Sequence, residues 1–277
     1  MIDLHSHTNE SDGTCSPAEL VDEAMGAGVR VLGITDHDTF AGYDAAVEPA
    51  RAAGLELVCG IELSTKLHGR SAHLLGYFLG SRNGGNGLDG FRGWVKGQQA
   101  ARRDRNIRLV ARLQELGFDI KLEEAEALGR GMTGRPHFAT LMVRKGYVAN
   151  LRQAFDDYLD ESAKGYVYRR EPQFAEGVER IREAGGIASL AHPVRVHGDV
   201  PAMMRELCDA GLNAIEAYHS DHDDRDTALF LDLARQYDLL VTGGSDFHGG
   251  TKPNVALGTG CDGNLRIPGD LLDRLRG

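Results

Sequence analysis

The chain has 277 residues, a net charge of -10 and 42% hydrophobic residues, which suits one barrel or one domain with an insertion. No apolar run approaches membrane-spanning length, and the first strand begins at once, so we expect neither a spanning helix nor a signal peptide. The four cysteines are scattered without a C-x-x-C pair, which argues against a disulfide framework and a thiolate zinc site. These features predict a cytoplasmic, reduced protein.

The first predicted strand ends in the stretch "DLHSHTNESDG", residues 3–13. Alternate side chains of a strand share a face, so His5 and His7 project together. Two neighbouring imidazoles are poorly suited to burial unless they bind something. This stretch therefore predicts a bound ligand.

The next elements repeat one pattern: a helix end, a glycine, an apolar strand and then a polar residue. It occurs in "GAGVRVLGITDHD", "AAGLELVCGIELS", "EAGGIASLAHP" and "DAGLNAIEAYHS". Glycine is the expected helix C-cap, and continuous apolar runs suit parallel strands buried on both faces. Ser16, Pro17 and Glu19 predict a capped helix start, and further helices are predicted at 174–184, 201–210 and 224–237.

Residues 81–167 lose this pattern and are predicted to form a small helical insertion that begins with a flexible linker over 81–90. Residues 81–170 contain 17 Lys and Arg against 11 Asp and Glu. This asymmetry favours metal cations in the acidic body and an anionic ligand beneath the basic segment, with solvated surface as the plain alternative. Five arginines of one predicted helix are interpreted mainly as a solvated face: Arg102, Arg103, Arg105, Arg108 and Arg112.

The segment "TGRPH" predicts a turn into a helix within the insertion. Gly134, Arg135 and His137 would then lie together at the helix start. A helix N-terminus and a guanidinium group both favour phosphate, so we interpret the segment as a phosphate site, with a simple helix start as the alternative.

Repeated βα units are expected to close into a barrel whose site lies at the carboxyl ends of the strands. His, Asp or Glu occurs at or near the end of seven predicted strands. These residues are His5, His7, Asp36, His37, Glu62, His73, His192, Glu216, His219, Asp246 and His248. The pattern predicts a metal centre with nitrogen and oxygen ligands, suited to Mn²⁺, Fe²⁺ or Zn²⁺.

Five motifs in this order resemble the PHP (polymerase and histidinol phosphatase) family. They are H-x-H at His5, T-D-H-D at Asp36, a lone Glu62, A-H-P at His192 and S-D-x-H at Asp246. The resemblance implies an α/β fold: a distorted seven-stranded, TIM-like βα barrel over residues 1–80 and 168–277, with the helical insertion at 81–167. It also implies a centre of three divalent metal ions, with Mn²⁺ preferred over Zn²⁺ or Fe²⁺.

The resemblance also implies a ligand set for each ion. The first ion would be held by His5, His7, Glu62 and Asp246. The second would be held by Glu62, which bridges, with His73 and His192. The third would be held by Asp12, His37 and His248, and Asp12 stands where some members carry a histidine. Asp36 is expected either to orient an imidazole N–H or to cap its strand end.

The insertion resembles the PHP branch that acts on nucleoside 3',5'-bisphosphates and short oligonucleotides. This implies hydrolysis of the 3'-phosphate of such bisphosphates, or of short oligoribonucleotides from the 5' end, by a hydroxide held between two metals. Glu62 and Asp246 would be catalytic and His197 a candidate proton donor, while Arg135, His137, Gly134 and His219 would bind substrate. We expect a small phosphorylated substrate, without membrane binding or duplex recognition.

Three other activities are compatible with the sequence. One is a histidinol-phosphate-type phosphomonoesterase. Another is an amidohydrolase-like C–N hydrolase, although that superfamily typically has a bridging lysine and a lone final Asp, whereas Glu62 and the Asp246-x-His248 motif occur here. The last is a non-catalytic metal-binding module.

Overall fold

A computed structural model describes residues 1–80, 86–128 and 132–277. Within these residues a seven-stranded sheet runs in sequence order. Its strands are β1 (Ile2–Asp3), β2 (Val31–Ile34), β3 (Glu56–Leu67), β4 (Arg70–Phe78), β5 (Ile187–Leu190), β6 (Ala214–His219) and β7 (Leu240–Gly244). The chain just after β1 pairs with β7 and the residues that follow it: Leu4 N–H donates to Gly243 O at 3.1 Å, and Asp246 N–H donates to His5 O at 2.8 Å. The sheet therefore nearly closes into a barrel, which confirms the predicted fold class.

The third and fourth strands form a hairpin, which the repeated βα pattern does not predict. β3 pairs with β4 in antiparallel register from Cys59 opposite Phe78 to Leu67 opposite Arg70, and β4 is also antiparallel to β5. The turn residues His68 and Gly69 both have positive φ, as a two-residue hairpin requires. Because β4 runs the opposite way, His73 reaches the site from within its strand rather than from its end.

Helices cover the barrel largely where the sequence predicts them. They are α1 (Pro17–Gly26), α2 (Ala41–Ala53), α7 (Phe174–Glu183), α8 (Val200–Asp209), α9 (Asp224–Gln236) and α10 (Leu271–Arg276). At the start of α1, Ser16 Oγ accepts from Glu19 N–H and Glu19 accepts from Ser16 N–H, which confirms the predicted capping box. A short ribbon of β8 (Val255–Ala256) and β9 (Gly260–Cys261) follows β7.

Between β4 and β5 the chain forms α3 (Asn86–Glu115), α4 (Leu122–Glu126), α5 (Arg135–Arg144) and α6 (Leu151–Ala154), the last running into a π turn at Phe155–Leu159. The early part of α3 packs on the barrel core, whereas side chains between Leu109 and Leu159 form a separate hydrophobic cluster. Residues 86–90 begin α3, so the predicted linker is wrong there; its residues 81–85 lie outside the described residues. Domain limits at 81 and 167 stay a prediction.

Two glycines allow the strands to meet beside the site. A Cβ at Gly244 would overlap the backbone of His5, and a Cβ at Gly33 would overlap that of Leu4. The barrel can therefore close tightly around the end of β1 only with glycine at these positions. In the described part of the chain, no helix combines the length and apolar character needed to cross a bilayer.

Candidate metal centre

The two histidines after β1 are held by backbone hydrogen bonds on both sides. His7 N–H donates to Phe247 O at 2.9 Å, and Thr35 N–H donates to Ser6 O at 2.9 Å. The imidazoles of His5 and His7 are completely buried, with ring centroids 5.2 Å apart. The sequence correctly predicts that they project together.

The Glu62 carboxylate lies in the middle of a ring of imidazoles. Its Oε1 is 2.8 Å from His73 Nδ1 and 2.9 Å from His192 Nε2. Its Oε2 is 3.1 Å from His7 Nε2, 3.2 Å from His5 Nε2 and 3.4 Å from His37 Nδ1. Burial alone would raise the pKa of Glu62, but the surrounding imidazoles, led by His37 and His73, lower it well below its ordinary value.

Asp246 has imidazoles near both oxygens, and one of the two also contacts cationic side chains. Oδ1 is 3.4 Å from His7 Nε2, while Oδ2 is 2.6 Å from Lys252 Nζ and 2.8 Å from Arg195 Nη1. Asp246 has a φ of 57°, and His192, at the end of β5, a φ of 27°. Such left-handed backbone is costly for non-glycine residues and is concentrated at functional sites.

A third group surrounds Asp12, in the loop after β1. Asp12 Oδ1 is 3.2 Å from His248 Nε2 and 3.7 Å from His7 Nδ1, and Oδ2 is 3.7 Å from His37 Nε2. Burial would raise the pKa of Asp12, but His37 and His248 lower it well below its ordinary value. The nine predicted metal ligands thus form one continuous cluster of nitrogen and oxygen atoms.

The donor atoms of this cluster fit divalent cations. The buried atoms His7 Nε2, His37 Nδ1 and His73 Nδ1 have no hydrogen-bond partner in the described structure, although each faces a Glu62 oxygen. Burial lowers the pKa of His37 to about 3 and that of His192 to about 4. By contrast, hydrogen bonds to Asp246 and Glu62 overcome burial and raise the pKa of His7 to about 9, so a bound cation would have to displace a proton from His7. A cation between these nitrogens and the carboxylates would satisfy both.

Four groups of side chains in the described part of the chain have ligand atoms within 4.8 Å of one another. One is the predicted first ligand set, and a second contains the whole predicted third set together with His7. A third group joins Glu62 and His73 to His37 rather than to His192. The fourth, of His5, Glu216 and His219, was not predicted as a unit.

Glu216 contributes more than its strand-end position predicts. It is fully buried, its Oε1 is 2.9 Å from His5 Nδ1, and its Oε2 accepts from His192 N–H at 2.6 Å. Because His5 Nε2 faces Glu62, Glu216 fixes the orientation and tautomer of a predicted ligand.

His219 was predicted on the substrate side, but its Nε2 is 3.5 Å from Asp246 Oδ2 and its Nδ1 accepts from Asp221 N–H.

Asp36 holds the loop after β1 rather than an imidazole. It accepts from Thr8 N–H and Thr8 Oγ1, each at 2.7 Å, and from Ser11 Oγ at 2.5 Å. Ser11 Oγ lies 3.5 Å from His7 Nδ1. The Ser11 hydroxyl therefore links Asp36 to His7, a contact that neither predicted role anticipates.

A cavity of about 300 Å³ opens onto this cluster, and residues of the helices between 86 and 167 also line it. Its lining includes Asp12, His37, Glu62, His73, His192, Asp246 and His248, together with Arg102, Arg105, Arg135, Arg195 and Lys252. Arg102 and Arg105 are buried, so the predicted solvated face is wrong for these two. The other three arginines of that face are exposed and pair locally: Arg103, Arg108 and Arg112.

The predicted phosphate segment divides between two roles. Arg135 lines the cavity and donates to Leu159 O at 3.3 Å. His137 is buried and absent from the cavity lining, and its Nδ1 accepts from Gly134 N–H at 3.0 Å. The Gly134 N–H is therefore engaged by the histidine that caps its own helix. His197 is exposed and does not line the cavity, whereas its neighbour Arg195 does.

Comparison with known proteins identifies a family and several relatives. The PHP domain model matches residues 3–225. A 5'-3' exoribonuclease of Haemophilus influenzae is 33% identical over 89% of this chain and 89% of its own length. A phosphoribosyl 1,2-cyclic phosphate 1,2-diphosphodiesterase of Eggerthella lenta is 34% identical, covering 92% and 97%. A 3',5'-nucleoside bisphosphate phosphatase of Chromobacterium violaceum is 30% identical, covering 89% and 87%.

A solved structure extends the likeness to the whole fold. This structure is of a Bifidobacterium adolescentis protein that is described by its presumed activity, a metal-dependent phosphoesterase. It aligns with a TM-score of 0.84 at 32% identity. The alignment covers 99% of this chain and 94% of that one.

Proposed function

This chain belongs to the PHP domain family, and we propose that it is a metal-dependent phosphoesterase that acts on small nucleotides. The observation that carries the proposal is the Glu62 carboxylate, ringed by five imidazole nitrogens at 2.8–3.4 Å, on the wall of a cavity that arginines also line. Such a site combines ligands for cations with groups that attract an anionic substrate.

The centre is proposed to hold three divalent ions, with Mn²⁺ preferred over Zn²⁺ or Fe²⁺. The proposed sets are His5, His7, Glu62 and Asp246; Glu62, His73 and His192; and Asp12, His37 and His248. The close grouping of these ligand atoms and the absence of thiolates among them support this assignment. When bound, such ions neutralise phosphoryl oxygens and lower the pKa of the attacking water.

The protein's own groups orient the ligands and hold the substrate. Glu216 fixes the orientation of the His5 imidazole. Asp36 accepts hydrogen bonds from Thr8 and Ser11 and so holds the loop that leads into Asp12. Arg195 and Lys252 line the cavity beside Asp246, so they would offset negative charge on a phosphoryl group bound there. Arg135, on the side of the cavity formed by the insertion helices, is proposed to contact the rest of the substrate.

The proposed substrates are nucleoside 3',5'-bisphosphates, cleaved at the 3'-phosphate, and short oligoribonucleotides, cleaved from the 5' end. The names of the Haemophilus and Chromobacterium relatives support these two classes. The Eggerthella relative is named for a cyclic phosphodiester and is equally similar. All three substrates carry more than one phosphate group, so the cationic side chains that line the cavity suit each of them, and an activity panel decides among them.

The test is an activity panel on protein freed of metal and reloaded with Mn²⁺. The panel contains adenosine 3',5'-bisphosphate, a 5'-phosphorylated RNA dinucleotide, a phosphoribosyl 1,2-cyclic phosphate, histidinol phosphate and p-nitrophenyl phosphate. We expect the highest kcat/KM on one of the first two. A preference for histidinol phosphate or for the cyclic ester would overturn the substrate class, and release of phosphate from none of them would overturn the activity.

A further inference from the structure

Four arginines of residues 86–170 lie close together beside the cavity, and they differ in their partners. Arg102 contacts the carboxylate of Asp38, and Arg169 donates to Glu171 at 2.8 Å. Arg135 donates only to the carbonyl oxygen of Leu159 among the described residues. These contacts leave the Arg135 charge without a carboxylate.

Arg105 has neither a hydrogen bond nor an ion pair with any described residue. Its side chain lines the cavity, the residue is only 6% exposed, and its Nε is buried without an acceptor. The nearby carboxylate of Glu171 is already engaged by Arg169 at 2.8 Å and by Lys66 at 3.3 Å. Burying the Arg105 Nε–H without an acceptor is costly, because it has lost water and gained no hydrogen bond, while the side chain also lines the open cavity.

The electrostatic surroundings of Arg105 are unfavourable for its charge. Burial, followed by the positive charges of Arg102, Arg135 and Arg169, lowers the pKa of Arg105 to about 9. The group remains protonated at pH 7. An anion between Arg105 and Arg135 would supply the missing acceptor and offset the repulsion.

We propose that Arg105 and Arg135 form a second anion subsite, which binds a substrate phosphate other than the one that is hydrolysed. Both line the cavity that also contains Glu62 and Asp246, so one molecule can reach the metal centre and this subsite together. The expected effect on phosphate-ester hydrolysis rests on the proposed function, whereas the binding of an anion by Arg105 and Arg135 does not. The second phosphate is either a monoester on the same nucleoside or the next phosphate of an oligonucleotide.

The kinetic test compares Arg105→Met with Arg103→Met. Met keeps the apolar length of the side chain without its charge, and Arg103 lies on the same helix but is exposed and pairs with Glu126 at 3.0 Å. We expect Arg105→Met to lower kcat/KM on adenosine 3',5'-bisphosphate by about tenfold to a hundredfold and on p-nitrophenyl phosphate by no more than about threefold. Arg105→Lys should recover only part, because it lacks the planar fork. A matching loss on the 5'-phosphorylated dinucleotide would extend the subsite to oligonucleotides, whereas a loss confined to the bisphosphate would restrict it to the monoester.

The binding test needs no catalysis. In EDTA, the thermal midpoint of the wild-type protein should rise with inorganic phosphate, and that rise should shrink in Arg105→Met and persist in Arg103→Met. Without phosphate, Arg105→Met should melt no lower than wild type, because it removes an uncompensated buried charge. Two results would overturn the subsite. One is a phosphate-induced rise in thermal midpoint that is as large in Arg105→Met as in wild type, and the other is an equal loss of kcat/KM on adenosine 3',5'-bisphosphate and on p-nitrophenyl phosphate. If the reloaded wild-type enzyme hydrolyses no ester, the proposed function fails while the melting result still decides the subsite.

Discussion

Replacing Glu62 by Gln should be the most damaging conservative change in the molecule. The substitution keeps the shape of the side chain and removes its charge. Glu62 is 1% exposed, and its two oxygens face five imidazole nitrogens at 2.8–3.4 Å. In the proposed centre it is the one residue shared by two ions, so both lose a ligand charge together.

The expected magnitude follows from this burial and sharing. Bound metal ions contribute several kcal/mol of transition-state charge stabilisation, and we expect the loss of the shared ligand charge to remove about 3–5 kcal/mol of it. At about 1.36 kcal/mol for each factor of ten in rate, Glu62→Gln should lower kcat/KM by about 10²- to 10⁴-fold. The number of tightly held metal ions per chain should also fall.

The assay measures p-nitrophenyl phosphate hydrolysis at saturating Mn²⁺, elemental content after gel filtration, and the thermal midpoint. Glu216→Gln is the matched control, because Glu216 is equally buried and contacts His5 but lies outside the proposed ligand set. We expect the control to keep the wild-type metal content at saturation and to lose about 10- to 100-fold in activity. Glu62→Gln with near-normal activity and full metal content would refute its bridging role.

Three further changes test other parts of the site. Arg135→Ala should lower kcat/KM on a nucleoside bisphosphate by about tenfold to a hundredfold, from a contact of about 1.5–3 kcal/mol, and much less on p-nitrophenyl phosphate; equal losses would assign it to the reacting phosphate or to the fold. His197→Ala should change kcat by less than about twofold, because the side chain is exposed outside the cavity lining, and a large loss would restore its predicted role as proton donor. Removing metal with EDTA should lower the thermal midpoint, and Mn²⁺ should restore it; an unchanged midpoint would contradict a cluster of carboxylates that requires cations.

The ligand cluster is the part of the site that the sequence predicts best. His5 and His7 share a face because of the two-residue period of a strand, and Glu62, His192 and Asp246 follow apolar runs or lie within them. Since the carboxyl ends of parallel strands meet at one end of a barrel, local patterns are enough to bring these residues together. His73 also joins them, although its strand runs antiparallel, because the hairpin register sets it opposite Ser64.

The cation side was predicted less well, because it depends on how helices dock. Arg102 and Arg103 are adjacent in the sequence, yet one is buried against the cavity and the other is exposed. Contacts with the barrel decide which face of α3 is buried. One of them joins Arg102 to Asp38, and Asp38 is the residue after the predicted ligand His37. A polar helix with arginines on several sides gives no periodic signal for such a choice. The role of His137 in phosphate binding stays a prediction, because a polar side chain at a helix start can serve the helix itself, as its contact with Gly134 N–H does here.

The uneven distribution of charge along the chain corresponds to different groups around the cavity. The chain carries a net charge of -10, yet five cationic side chains line the cavity, three of them from α3 and α5. The carboxylates of Glu62, Asp246 and Asp12 face imidazoles at the cluster, where bound cations would more than offset them. Fields at a surface decay over about 10 Å at 0.1 M salt, so the acidic exterior affects a bound anion far less than these nearby groups do. A strongly acidic protein can therefore hold a polyanion, provided that its buried acids serve metal ions and that cationic side chains line the cavity around them.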